Sequence, residues 1–415
     1  MFGRISNNIF LGVFFMLSFN IFHHFPHFGL VKDIWVVFIF VYLLVVLIGK
    51  HMLDGGKYFS FERYIFALCL MPIYSGVVAH LEFGQPLYYG VFSQRNIILI
   101  GASLILIYWV DKRGLTLEKI DKLLPSIGWF CLIFYSILVT TLNPSIYYGY
   151  VGFVGGGVVE PVHFILNSIF IIYTVLYYFL RGLKGGSLFN YVAMLIFLTY
   201  LIFIDGGRSK LLSLAIVIII IFVKKTSFFR MVLFSPFIII GTGVLIYIAY
   251  YFNSSYLDSF VVKFNDAISV VLTTEKSGDA SANARIDEVN MVLPYIEKNW
   301  LFGNGFLSHQ WQGGFLSKLG MFAPSDIGLI GNIFVFGAFG VLVFLWQFVY
   351  AWKFVRLTQK SNEIILIDAS KYFLLFYFIH SLSTGKFIYH IYVSLIFISI
   401  LFLSSKPTIF LVFIN

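Results

Sequence analysis

Two arginines carry the first hint of chemistry. Arg208 sits in Asp205-Gly206-Gly207-Arg208-Ser209-Lys210, between two apolar runs, and Arg285 opens an amphipathic segment further along. A guanidinium keeps its charge and presents a planar fork of donors, which suits adjacent phosphate oxygens. Two of them on one side of a membrane could grip a diphosphate. Competing readings stand beside this one. For Arg208 and Lys210 it is a tight turn with cations reaching toward the headgroups, the reading favoured for Lys210. For Arg285 it is a local ion pair with Asp287 or Glu288.

Asp326, His309 and Glu160 are the candidate proton carriers. A carboxylate partly removed from water can take a proton from a sugar hydroxyl. Asp326 follows Pro324-Ser325 and could equally cap the next helix. Glu160, beside Pro161 and His163, could complement a helix dipole. Gly303-Asn304-Gly305 lets the backbone turn sharply and approach a ligand, with Asn304 as a glycan contact. Trp300 and Trp311 offer ring faces for stacking on sugars, against the commoner role of anchoring at a membrane interface. His380 and His390 fall inside the last apolar runs and read as buried, hydrogen-bonded residues. No spacing of His, Cys, Asp and Glu suggests metal ligands, so neither a metal nor a cofactor is expected. Cys69 and Cys131 lie in apolar runs and read as small core residues.

The elements that must position these groups are membrane helices. The chain of 415 residues is 60% hydrophobic and 11% charged, where a soluble domain is about a quarter charged. Apolar runs centre on 8–25, 30–49, 64–81, 96–110, 126–142, 161–180, 189–204, 210–223, 231–252, 327–351, 370–385 and 387–403. They predict an all-α polytopic membrane protein of about twelve transmembrane helices. An N-terminal bundle over 1–252 precedes a large loop over 253–326, and membrane helices and a tail over 327–415 close the chain. Arg4 followed by an apolar run without a small-residue cleavage site reads as an uncleaved first span. The formal charge of +9 is spread over short loops, which excludes a nucleic-acid surface and reads as a topology signal. Loops after even-numbered spans hold most of the Lys and Arg. Both termini are therefore expected in the cytoplasm and the large loop outside. Within that loop, apolar positions from Phe260 to Leu272 and from Ile286 to Trp300 recur at helical spacing, with Pro294 as a candidate kink.

This layout resembles the glycan polymerases and ligases of bacterial envelopes. The resemblance rests on Gly207-Arg208-Ser209, on Arg285 early in the large loop, on Trp300-Leu301-Phe302-Gly303-Asn304-Gly305, and on Pro324-Ser325-Asp326-Ile327-Gly328-Leu329-Ile330-Gly331 followed by Phe336-Gly337 and Gly340. It is nearest to the O-antigen and related repeat-unit polymerases (the Wzy family). The related O-antigen ligases carry a His-Asn-like segment where this chain has Ser325-Asp326. The resemblance implies a metal-independent glycosyltransferase of the C-type membrane architecture in the bacterial inner membrane. Its donor would be a glycan on undecaprenyl diphosphate and its acceptor a single undecaprenyl-diphosphate-linked oligosaccharide. Besides membrane lipid, its partner would be a chain-length regulator of the same pathway. The alternatives are a ligase delivering glycan to lipid A-core, a flippase or other transporter of lipid-linked oligosaccharide, and a non-catalytic scaffold.

Overall fold

The computed structural model describes residues 2–22, 28–53, 59–113, 115–141, 167–205, 207–226, 247, 280–320, 322–358 and 364–414. Among these residues all regular structure is helical. In chain order the helices are α1 Phe2–Ser18, α2 Phe28–Leu53, α3 Ser60–Cys69, α4 Met71–Phe83, α5 Leu87–Ser93, α6 Gly101–Arg113, α7 Leu117–Thr141, α8 Ile169–Leu183, α9 Leu188–Tyr200, α10 Arg208–Lys225, α11 Ala280–Asn299, α12 Phe315–Leu319, α13 Gly328–Leu357, α14 Ile365–Thr384, α15 Lys386–Tyr389 and α16 Ile391–Ile414.

Five of the described stretches are long and apolar enough to cross a membrane: Gly29–Val46, Ser60–Phe83, Leu117–Thr141, Gly328–Leu357 and Ile365–Thr384. Leu87–Ser93 with Arg95–Val110, bent by 47°, makes a sixth if taken together. Ile9–Ser18, Ile169–Leu183, Leu188–Tyr200 and Ile391–Ser405 are apolar but shorter. The run at 64–81 is divided between α3 and α4, and the short run at 96–110 is a 3-10 helix over Arg95–Ile100 followed by α6. Pro72 lies at the first turn of α4 and restarts the helix there. The runs at 161–180 and 231–252 (each in part), the amphipathic segment from Phe260, and Glu160 lie outside the described residues.

The pattern of exposure says what surrounds the bundle. On α2, Leu30, Ile34, Val37, Val41, Val45 and Ile48 are exposed, a spacing of three and four that makes one helix face. On α13, Phe339, Leu342, Trp346, Val349 and Trp352 do the same. A helix in a soluble protein turns such a stripe inward. Stripes this apolar facing outward fit hydrocarbon, so the chain is an α-helical protein embedded in a membrane.

At the centre, α8 is buried almost all round, from Phe170 to Leu180. It packs against α7, α9, α10 and α14, while α16 packs against α6, α13 and α14. Phe397 of α16 joins the two sets, its ring centroid 4.3 Å from Phe373 and 5.2 Å from Tyr173. Contacts between helices in lipid depend on close packing more than on water exclusion. Gly128 of α7 is an instance: a Cβ there would overlap the Thr174 side chain of α8.

Candidate functional site

Part of the described stretch of the large loop packs into the helices. α11 packs along α13, with Pro294 inside the helix. Beyond it, residues 300–308 run between α4 and a break in α13. The break is at Gly337, with φ 64° and ψ 177°. Breaking a helix frees carbonyls before the break and N–H groups after it, and in a bilayer each must find a partner. The loop supplies them. Asn304 N–H donates to Phe334 O at 2.7 Å and Gly305 N–H to Val335 O at 2.9 Å, while Ala338 and Phe339 N–H donate to Trp300 O (2.8 Å) and Leu301 O (3.0 Å). From α4, Tyr74 Oη donates to Phe302 O at 2.7 Å and Ser75 Oγ accepts from Phe306 N–H at 3.0 Å. Gln85 donates to Phe306 O at 2.9 Å and accepts from Ser308 N–H at 2.7 Å.

Gly303-Asn304-Gly305 therefore approaches the protein's own backbone. Gly303 has φ +74°, and a Cβ there would stand 2.7 Å from Val335 O. The Asn304 amide is 1% exposed; it donates to Phe334 O at 3.2 Å and accepts from Asn299 Nδ2 at 2.9 Å. Its expected role as a glycan contact is corrected on that ground: it fastens the loop to the broken helix. Trp300 is exposed beside Leu301, Phe302 and Phe339, in line with the lipid-facing stripe of α13, which fits an interface anchor better than a sugar platform. Trp311 is half-buried, with Lys318 Nζ 5.6 Å from its ring centroid. His309 is exposed and its Nδ1 pairs with Gly313 O at 3.0 Å, within its own turn.

A different set of groups comes together where α11, the 322–328 turn, α10 and the α14–α15 connection meet. Asp326 is exposed. It does not cap α13: the residue before the helix is Ile327, and no side-chain cap bond forms there. The Asp326 carboxylate accepts from Ser325 Oγ at 3.2 Å and lies close enough to act on both Glu288 and Tyr389. Glu288 of α11 is 9% exposed. Burial first, then the Asp326 charge, pushes its carboxyl up to about 7, against the pull of Arg285 and the Ala323 backbone. Arg285 itself is exposed. It stands three residues before Glu288, on the same face of α11.

Around the α14–α15 connection the surroundings turn cationic, with Lys386 near Lys210. A π-turn over Leu201–Asp205 ends α9, and α10 starts at Arg208 after Gly207. Lys210 does not reach toward headgroups as expected: it pairs with Asp205 and donates to Ser168 Oγ at 3.1 Å. Arg208 is the first residue of α10, and its side chain lies outside the described residues. His380 of α14 faces the Ser209 backbone, with Lys210 and Lys386 nearby. As expected of a buried polar residue, His380 is 3% exposed and has the Ser209 backbone as its hydrogen-bonding neighbour.

The arrangement thus joins Arg285 with Asp326 through Glu288, and brings the Arg208 turn up to α14. It leaves His309 in a turn of its own. Glu288 and Lys386 were missed by sequence reasoning. The available signal was the Arg285–Glu288 spacing, and a lone lysine between two apolar runs. No family model matches the chain, and no curated protein matches it.

Proposed function

We propose that this protein is a glycosyltransferase that polymerises oligosaccharide repeat units carried on a polyprenyl diphosphate, at the outer face of the membrane. It would cross about twelve times with both termini in the cytoplasm. The observation that carries the reading is the Glu288–Asp326 carboxyl pair beside Arg285. A carboxyl held at about 7 is poised to take a proton at neutral pH, as activation of an acceptor hydroxyl requires. The Asp326 charge helps to raise it. Arg285, with Arg208 on the first turn of α10, answers the charge that grows on the departing diphosphate. That diphosphate already activates the anomeric carbon, so no nucleotide is needed at the outer face.

Buried polar groups between membrane helices also favour a second reading, a transporter of lipid-linked oligosaccharide. Cells lacking the protein separate the two. A lost polymerase leaves single repeat units displayed at the outer face, whereas a lost transporter holds them at the inner face.

A further inference from the structure

The end of the bundle away from the carboxyl pair holds a charge cluster of its own. Asp368 lies in the first turn of α14. The α14–α15 connection is at the other end of that 20-residue helix, about 30 Å away. The Asp368 side chain is 8% exposed, and ammonium groups from three places reach it. Lys225 Nζ, on the last turn of α10, is 3.1 Å from Oδ2; Lys184 Nζ is 3.7 Å from the same oxygen; Lys371 Nζ is 3.4 Å from Oδ1. The turn that carries Lys184 is closely built. Gly185 has φ +91°, and Gly186 N–H donates to Arg181 O at 3.1 Å.

One carboxylate does not answer this much positive charge. Lys225 and Lys371 alone set two cations on one anion, and each ammonium brings three N–H donors to a carboxylate with about four acceptor sites. Two like charges about 6 Å apart repel by roughly 3 kcal/mol at an effective dielectric of about 20, so a second anion here lowers the free energy. Lys184 and Lys225 are 35% and 37% exposed, open to such a ligand. The outward side chains beside them are apolar: Val223, just before Lys224-Lys225, and Leu188 and Phe189, just after the Lys184 turn, are each more than half exposed. An anion that suits both surfaces is an amphiphile.

We propose that Lys184, Lys225 and Lys371, gathered on Asp368, bind the phosphate headgroup of an anionic phospholipid whose acyl chains run along Leu188, Phe189 and Val223. Asp368 has two effects: it draws the lysines together, and it competes with the headgroup for their charge. In the topology proposed above, this is the cytoplasmic leaflet. The site does not depend on the glycan reading.

The test is native mass spectrometry of the purified full-length protein in detergent, titrated with phosphatidylglycerol, phosphatidylcholine and inorganic phosphate. Phosphatidylglycerol should bind about tenfold or more tighter than phosphatidylcholine, and millimolar inorganic phosphate should not displace it. Lys225→Gln with Lys371→Gln should abolish that preference; if the pair does not fold, Lys225→Gln alone, at an exposed helix end, should weaken it about threefold. Lys353→Gln, which removes an exposed cation near the end of α13, should leave it unchanged. Asp368→Asn should tighten phosphatidylglycerol about threefold or more, because the competing carboxylate is gone. A lysine cluster that serves only the fold predicts no such gain. Equal binding of the two lipids, or as large a loss from Lys353→Gln, would overturn the site and leave only diffuse attraction to a basic face. Displacement by inorganic phosphate would overturn its assignment to a lipid, and unchanged or weaker binding in Asp368→Asn would overturn the competition.

Discussion

Replacing Glu288 with Gln should make the protein more stable in alkali and catalytically dead. The carboxyl is 9% exposed and is raised from 4.5 to about 7 by burial and by Asp326. That difference corresponds to roughly 3 kcal/mol of native-state penalty on the charged form. The folded protein holds this proton more tightly than the unfolded chain does. The stability it contributes is therefore complete below about pH 4.5 and is lost as the pH rises through about 7. Gln keeps the shape and removes the charge. Thermal unfolding in detergent, followed by tryptophan fluorescence, should show similar midpoints for wild type and Glu288→Gln at pH 5. At pH 8.5 the variant should be more stable by up to roughly 3 kcal/mol. An amide cannot take a proton, so elongation should fall about a hundredfold or more at both pH values. A variant less stable than wild type at pH 8.5, or one with full elongation, would refute the assignment of Glu288 as a buried base.

Asp326→Asn removes a charge that raises Glu288, so the acid limb of the elongation profile should move to lower pH; a rate lost equally at every pH would make Asp326 the base instead. Gly303→Ala forces a Cβ to 2.7 Å from Val335 O at φ +74°. The left-handed conformation alone costs about 1–2 kcal/mol, and the displaced Asn304 and Gly305 bonds add about 1 kcal/mol each, so a lowered unfolding midpoint and reduced protein in the membrane are expected. Cysteines placed at Ser277 and Lys119 should be labelled by an impermeant reagent from outside only in the first case; the reverse would put the carboxyl pair on the wrong face for lipid-linked substrates.

The membrane helices were legible because hydropathy over twenty residues needs no knowledge of neighbours. Arg285 and Asp326 stood out by residue type and position in the loop. Glu288 did not, because an acid three residues from an arginine looks like a surface ion pair; only the packing of α11 beside the 322–328 turn removes it from water. Lys386 stands alone in a short loop between two apolar runs, where sequence marks only topology; its closeness to Lys210 and Asp205 comes from the packing of α10 beside α14. Gly303-Asn304-Gly305 and Gly337 were both visible, and both were associated with function. That one closes the break made by the other depends on contacts across thirty residues or more, which local pattern cannot report. The division of the Ser60–Phe83 stretch at Leu70 turns on a single helix restart at Pro72, a change too local to alter averaged hydropathy.

The most direct test of polymerisation is reconstitution. Vesicles holding this protein alone are given a single species of polyprenyl-diphosphate-linked repeat unit on the side facing the 280–326 segment, and the glycan is followed by gel mobility. A ladder of products, each longer by one repeat, is expected from wild type and is absent with Glu288→Gln. A folded wild-type protein that leaves the glycan at one repeat, or moves it across the bilayer without lengthening it, would contradict the account.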